Sequence, residues 1–176
     1  MADTVYIGVD NGATGAVGVI GGAPRPFMFL PPVKNEQDYT KKAQNITRID
    51  WEAYRKLLSE MVVGPAMLKY GAEASVKAFI ERPFVNPGAF RTTVCAVRAF
   101  EATIIVMEHL GIPWQPIDSR AWQSKLLPEG LKGAPKLKKA SRDIGIRMFP
   151  HLEDQIKAQK DADGLLIAEW ARRSNL

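Results

Sequence analysis

The sequence predicts an α/β fold in which a mixed central sheet is flanked by helices. Three short apolar runs near the start are separated by glycine-containing turns, which indicates an antiparallel meander. Further along, apolar strands alternate with segments of helical periodicity, which is typical of parallel strands joined by helices. The length of 176 residues suits one domain with a sizeable core, so we expect residues 1–176 to form a single unit.

The first part of the chain is expected to supply the meander and one helix. Three strands are predicted, over residues 5–9, 16–20 and 27–30. The polar residues 31–45, with two prolines and three lysines, predict a long surface loop. Asp50 is a typical helix N-cap, and Gly64 is expected to end the helix that follows.

The rest of the chain alternates between predicted strands and helices. Strands are expected over residues 76–80 and 113–117, with a proline-rich loop after the first of them. Four helices are expected: one from Thr92 or Thr93 to Leu110, a short one capped by Ser119, one over residues 136–148 and a last one starting near Asp161.

Composition limits the class of protein. Hydrophobic residues make up 46% and charged residues 24%, the balance of a soluble globular protein. There is no run of 18 apolar residues and no basic stretch followed by an apolar one at the start, so we expect neither a membrane span nor a signal peptide. Cys95 is the only cysteine, which excludes a disulfide framework. The expected location is the cytoplasm.

The formal net charge of +5 is concentrated in one segment. Residues 115–150 contain eight Lys or Arg and three acidic residues, whereas the remainder is balanced. A solvated helix face and a phosphate-binding surface both explain such a segment. An anionic partner is therefore a hypothesis at this point.

Acidic residues stand at the ends of predicted elements. Asp10 ends the first strand, Glu81 ends a later one, and Asp161 and Asp163 begin the last helix. If the two strands are neighbours, these carboxylates meet at one edge of the sheet, where they repel each other unless a cation binds. Oxygen ligands favour Mg²⁺ or Mn²⁺. Each acid also has a purely structural explanation: a turn at Asp10, a surface ion pair at Glu81, and helix capping for the two aspartates.

Four segments resemble one family in the expected order along the chain. The family is that of the RuvC-type Holliday junction resolvases. Its first strand resembles residues 7–15, and its second acidic strand resembles residues 79–84. A later strand and turn found in phage versions resemble residues 112–122, and the closing acidic helix resembles residues 160–168. The resemblance implies a ribonuclease H-like fold and a homodimeric endonuclease. Such an enzyme places symmetric nicks in a four-way DNA junction with two Mg²⁺ ions per site, Mn²⁺ being possible instead.

By resemblance, Asp10, Glu81 and Asp163 are expected to be catalytic metal ligands. The family usually has another ligand three residues before the last acid, but that position here is Lys160, and Asp161 lies only two before. Two residues correspond to roughly 200° around a helix, so both aspartates can face one metal centre only if Asp161 precedes the helix. Lys160 is a possible stabiliser of developing charge.

Further residues are predicted to contact branched DNA. The resemblance suggests that an aromatic of residues 84–90 stacks on bases at the crossover, although packing under its own loop would explain Phe84 equally. Trp122 is expected in the core. The predicted DNA contacts are Arg82, Phe84, Phe90, Arg91, Lys132, Lys136, Lys138, Lys139 and Arg142.

Two other functions remain open from the sequence. A non-catalytic nucleic-acid-binding module would retain the basic surface without the metal, and an RNA-directed nuclease of the same superfamily would use the same acids. A two-domain actin-like or sugar kinase ATPase needs more than 176 residues, and no P-loop motif is present, so no nucleotide cofactor is expected.

Overall fold

The computed structural model describes residues 4–37 and 45–176. Its strands are β1 (Thr4–Val9), β2 (Val17–Ile20), β3 (Phe27–Phe29), β4 (Val33–Gln37), β5 (Asn45–Ile49), β6 (Ser75–Glu81) and β7 (Trp114–Ile117). Its α-helices are α1 (Trp51–Leu58), α2 (Gly64–Tyr70), α3 (Phe90–His109), α4 (Ser119–Leu126), α5 (Ala134–Met148), α6 (Glu153–Gln159) and α7 (Asp163–Arg173). None of these helices is long and apolar enough to cross a bilayer.

Five strands form the mixed sheet that the sequence predicts. Their order is β3-β2-β1-β6-β7. β2 pairs antiparallel with both β1 and β3, whereas β6 pairs parallel with both β1 and β7. In the parallel pair at the centre, Val9 lies opposite Ile80. The chain therefore leaves β1 and β6 at the same edge of the sheet, which brings Asp10 and Glu81 together.

Helices cover both faces of the sheet. Val5, Ile7 and Val9 of β1 point to one side and join a buried cluster with α1 and α3. Phe79 of β6 points to the other side and lies in a second cluster with α4, α5 and α7. The period of two along the strands explains this division, because alternate side chains of a buried strand face opposite layers.

Glycines set the distance between α7 and the sheet. A Cβ atom on Gly8 would lie 2.2 Å from the carbonyl oxygen of Gly164, and one on Gly18 would lie 2.4 Å from the amide of Leu165. A Cβ on Gly164 would lie 2.4 Å from the carbonyl oxygen of Ala16. The backbone of α7 therefore packs directly on β1 and β2, closer than any side chain would allow.

The predicted surface loop over residues 31–45 is wrong in part. Strands β4 and β5 form a separate antiparallel ribbon, with Lys34 opposite Arg48, and residues 38–44 lie outside the described residues. The guanidinium of Arg48 donates to both carboxylate oxygens of Glu36, at 2.7 and 2.8 Å, and Arg98 of α3 lies 3.6 Å from the same carboxylate. The β4 segment consists mainly of polar and charged residues and is partly exposed, so it lacks the alternation of apolar and polar residues that predicts a strand.

The helix boundaries were partly correct. Asp50 caps α1 as expected, since its carboxylate accepts a hydrogen bond from the Ala53 amide at 3.3 Å. Gly64 does not end the helix, because a π-helical turn over Ser59–Val63 leads into α2, which ends at Gly71 with a φ of +73°. Asp118, not Ser119, caps α4 by accepting from the Arg120 amide at 2.8 Å.

Candidate metal centre and nucleic-acid interface

Asp10 and Glu81 lie at the edge where β1 and β6 end. Asp10 is the first residue after β1, and its amide donates to the carbonyl of Ala16 at 3.0 Å, which closes the turn into β2. Glu81 is the last residue of β6. Parallel pairing of the two strands makes these acids neighbours, although 70 residues separate them in the sequence.

Asp161 and Asp163 reach the same edge from the start of α7. Lys160 ends α6 in the left-handed conformation, with a φ of +76°, and the chain then turns into α7, whose first residue is Asp163. Asp161 precedes the helix and is only 2% exposed. The Asp163 amide lies 3.4 Å from Oδ1 of Asp161. The condition set by the two-residue spacing is thus met, since Asp161 lies outside the helix.

Three of the four predicted acids form a compact carboxylate cluster. One oxygen each of Asp10, Asp161 and Asp163 lie within 4.8 Å of one another. Glu81 is not part of this group, but it is close enough to interact electrostatically with Asp10 and Asp163. The carboxylate cluster (Asp10, Asp161 and Asp163) therefore has Glu81 beside it.

Three carboxylates of the site, those of Asp10, Glu81 and Asp163, have raised pKa values. Burial, with the charges of Asp163 and Glu81 added, holds the pKa of Asp10 well above its usual value. Burial also raises the pKa of Glu81 to about 7, and burial with the charge of Asp161 raises that of Asp163 to about 6. Packing of several carboxylates in a partly desolvated site disfavours their charged forms, and a bound cation would reverse this effect.

The residues of this site suit a divalent metal ion. Oδ1 of Asp163 is buried and has no hydrogen-bond partner within the described part of the chain. A buried carboxylate oxygen without a partner costs free energy that coordination to a cation would recover. The donors are all carboxylate oxygens, which hard cations such as Mg²⁺ and Mn²⁺ prefer.

Lys138 of α5 contacts the carboxylate cluster directly. Its Nζ donates to Oδ2 of Asp161 at 2.6 Å. Burial lowers the pKa of Lys138, but the hydrogen bond and charge of Asp161 outweigh it and leave that pKa above its usual value. Lys138 was predicted only as a DNA contact. Lys160, the predicted charge stabiliser, is exposed at the end of α6.

Ser141 and Trp122 also belong to the site, and neither is among the predicted site residues. The Ser141 hydroxyl, one turn after Lys138, accepts a hydrogen bond from the Ala162 amide at 3.1 Å. Its interaction with the Asp163 carboxylate lowers the pKa of that group, against the larger effect of burial. The Trp122 indole donates to Oε2 of Glu81 at 3.0 Å. Its expected core position is confirmed, since it is fully buried, but its polar edge faces Glu81. The i, i+3 spacing of Lys138 and Ser141 on one helix face was the only available signal.

The loop after β6, which follows Glu81, carries exposed aromatic residues. Phe84 is 81% exposed and Phe90 is 76% exposed, so packing of Phe84 under its own loop is excluded. Asn86 holds the loop: its amide donates to the Thr93 hydroxyl at 3.0 Å, and its side chain accepts from the Gly88 amide at 2.9 Å. The aromatic loop (residues 84–90) therefore presents its rings to solvent from a hydrogen-bonded backbone.

The remaining predicted DNA contacts are mainly surface cations. Arg82 follows Glu81 directly, and Arg91 is exposed in the first turn of α3. Lys132 precedes α5, and Lys136 and Lys139 lie in its first half, all exposed. Arg142 is half-buried and pairs with Asp143 at 3.3 Å. We call Lys132, Lys136 and Lys139 the basic edge of α5.

Comparison with known proteins identifies the fold. No protein-family model and no curated protein matches the chain. The fold is that of solved RuvC structures, which is ribonuclease H-like: a mixed five-stranded sheet flanked by helices. The structure of Thermus thermophilus RuvC in complex with a Holliday junction substrate is 15% identical, with 97% of this chain and 96% of that chain covered and a TM-score of 0.52. A second Thermus thermophilus RuvC structure is 16% identical over the same shares, with a TM-score of 0.45.

Proposed function

We propose that this chain is a divalent-metal-dependent endonuclease that cuts four-way DNA junctions by symmetric nicking. The observation that carries the proposal is the convergence of Asp10, Asp161 and Asp163 within 4.8 Å, with Glu81 alongside, at one edge of a ribonuclease H-like sheet. Such carboxylate groups suit the metal ions of phosphodiester hydrolysis. The whole chain acts as one nuclease domain in this proposal.

Asp10, Asp161, Asp163 and Glu81 would hold two Mg²⁺ or Mn²⁺ ions. Bound divalent ions supply Lewis-acid stabilisation of phosphate oxygens and lower the pKa of coordinated water. Asp10 interacts electrostatically with Asp163, Glu81 and Asp161, so it is the ligand that we propose is shared by the two ions. Lys138, already at Asp161, adds a positive charge at the rim where a phosphate would arrive.

The surfaces around the cluster suit branched DNA. The aromatic loop offers Phe84 and Phe90 for stacking on unpaired bases, which contributes roughly 1–3 kcal/mol per base. The basic edge of α5 offers cations to the phosphates of the junction arms. Each chain carries one carboxylate cluster of this kind among its described residues, so paired nicks require a homodimer with two such sites.

Cleavage of defined substrates tests the proposal. Purified protein is incubated with a four-way junction, a linear duplex of the same sequence and an RNA–DNA hybrid, each with Mg²⁺, with Mn²⁺ and with EDTA. We expect paired cuts in the junction alone, and only with metal. Sedimentation of the protein with and without junction measures whether it is a dimer.

The variant Glu81→Gln gives the decisive comparison. It removes a proposed metal ligand and a negative charge near phosphate, so cleavage is lost while junction binding is kept or becomes tighter. Asp143→Asn removes an exposed acid of α5 that is not part of the cluster and serves as the control for lost charge. Undiminished cutting by Glu81→Gln would remove the proposed centre.

The same experiment separates the other functions. Junction binding without cutting under any metal condition would indicate a non-catalytic binding module. Preferred cutting of the RNA–DNA hybrid would indicate an RNA-directed nuclease. Either result would contradict the proposed function.

A further inference from the structure

We propose that Trp122 is a positioning residue whose indole N–H holds the Glu81 carboxylate in the orientation that binds metal. The inference rests on the proposed function, because it assumes that Glu81 is a metal ligand. It adds a residue from a different element, α4.

The contact has the features of a fixed hydrogen bond. The indole Nε1 donates to Oε2 of Glu81 at 3.0 Å, and the Trp122 side chain has no exposed surface. A buried indole N–H needs an acceptor, and here the acceptor is a carboxylate, which makes the bond charge-assisted. The bond engages one of the two carboxylate oxygens, so the other can coordinate an ion while the side chain stays in place.

The backbone keeps the two residues in register. Glu81 lies opposite Ile117 in the parallel pair of β6 and β7, and the Arg82 amide donates to the Ile117 carbonyl at 2.9 Å. Asp118 follows immediately and caps α4, which places Trp122 one helical turn later. The position of the indole relative to Glu81 is therefore set by strand pairing and a helix cap, not by a flexible segment.

Other side chains could fill this volume without the hydrogen bond. Trp122 lies in the apolar cluster beneath α7, where phenylalanine would pack its ring in the same direction. Packing therefore requires only a large ring at this position, and the hydrogen bond to Glu81 is what requires the N–H group of tryptophan. Partners that orient metal ligands typically change metal affinity by about 10–100-fold when they are removed.

Metal affinity in a double-mutant cycle tests the proposal. Mn²⁺ binding to the full chain is measured by the electron paramagnetic resonance of free Mn²⁺ for the parent, Trp122→Phe, Glu81→Gln and the double variant. We expect Trp122→Phe to weaken Mn²⁺ binding about 10-fold in the parent background and not at all in the Glu81→Gln background. Trp170→Phe, which alters another tryptophan packed on the same cluster, is the control and leaves Mn²⁺ affinity unchanged.

A metal-independent measurement tests the contact itself. In ¹H–¹⁵N spectra without metal, the Trp122 indole resonance moves when Glu81 is changed to Gln, while the other indole resonances stay in place. An unmoved Trp122 resonance would overturn the contact.

The Mn²⁺ measurements have their own contrary outcomes. The positioning role would be overturned if Trp122→Phe bound Mn²⁺ as tightly as the parent. It would also be overturned if Trp122→Phe lowered Mn²⁺ affinity equally in the parent and Glu81→Gln backgrounds. Failure of the parent to bind Mn²⁺ would refute the proposed function and this inference with it, whereas parent binding with no effect of Trp122→Phe refutes only the inference.

Discussion

Lys138 and Asp161 form an ion pair in which the two partners differ in exposure. Asp161 is 2% exposed, whereas the Lys138 side chain is 53% exposed. The carboxylate therefore depends on its partner, since a buried charge without compensation is costly, while the lysine can return to water at little cost. The pair supplies Asp161 with a positive charge in the metal-free protein, and a bound cation would take over part of that role.

Replacement of Lys138 tests this dependence. Lys138→Met keeps the aliphatic stem and removes the charge, so the free energy of unfolding in EDTA should fall by about 1–3 kcal/mol, as for a buried polar group left without its partner. Added Mg²⁺ should recover most of the loss. Thermal unfolding with and without Mg²⁺ measures both effects, and Lys139→Met, at the exposed neighbour, is the control. A Lys138→Met melting temperature equal to that of the parent in EDTA would contradict this account.

At the level of single residues, the sequence predicted the acids better than their partners. Asp10, Glu81, Asp161 and Asp163 stand at element ends, which is visible along the chain. The partners are side chains that long-range packing brings in: Lys138 lies 23 residues from Asp161, and Trp122 lies 41 from Glu81. No local period encodes such a pairing.

The packing of α7 on β1 and β2 is the element-level feature that positions the site. Gly8, Gly18 and Gly164 allow backbone to meet backbone, and Asp163 is the residue directly before Gly164. The depth at which the helix packs therefore fixes how near Asp163 comes to Asp10. A wider spacing between helix and sheet would move one carboxylate away from the others.

A methyl group added at Gly164 tests whether the site depends on close packing of α7 against the sheet. In Gly164→Ala the new Cβ would lie 2.4 Å from the Ala16 carbonyl oxygen, so α7 must move outward. We expect a loss of roughly 1–3 kcal/mol in stability, as for other overpacked positions, together with weaker Mn²⁺ binding. Denaturant unfolding and Mn²⁺ titration measure these. In Gly88→Ala, the control, the nearest atom is 3.4 Å away, and unchanged stability of both variants would refute the close-packing argument.

Elements with strong hydrophobic patterns were predictable, and those without were not. β1, β6 and α3 bury apolar faces, which leaves a clear period in the sequence. β4 has no fully buried residue, so the charged residues of this strand resemble a loop, although its partner β5 buries Ile46 and Ile49. The helical chain continues past Gly64 because a π-helical turn precedes it, and such a turn has no sequence signal of its own.

Across the whole molecule, charge is divided between an acidic site and a basic edge. Asp10, Glu81 and Asp163 have raised pKa values in the metal-free protein, which means that folding opposes their ionisation. A group whose pKa is raised on folding contributes stability below its unfolded pKa and loses it as pH rises through the folded value. For Glu81 and Asp163, that window extends from their usual values of 4.5 and 3.8 up to about 7 and about 6.

The metal-free protein should therefore become less stable as pH rises through this window. We expect a higher melting temperature in EDTA at about pH 5 than at about pH 8, and a larger stabilisation by Mg²⁺ at the higher pH. Glu81→Gln should reduce this pH dependence, because the amide does not titrate. A melting temperature in EDTA that increases steadily with pH would contradict the direction of the shifts.

The basic edge of α5 should govern the salt dependence of junction binding. Changing Lys136 and Lys139 to Ala removes two exposed cations without touching the Lys138 ion pair. If both contact phosphates, the slope of log affinity against log salt should become shallower by about 2, while the preferred DNA structure stays the same. Fluorescence anisotropy at several salt concentrations measures the slope. The double change of Lys56 and Lys69, on α1 and α2, has the same charge effect and should leave the slope unaltered.

The hydrogen bonds around Asn86 have a consequence for the cost of binding. A loop that becomes ordered only on its target loses conformational entropy at that moment, at roughly 1–2 kcal/mol for each backbone residue fixed. Here the Asn86 backbone is bonded to Thr93 and its side chain to the Gly88 amide before any partner arrives. Phe84 and Phe90 would therefore meet their target from a preorganised loop, and more of the contact energy would remain as affinity.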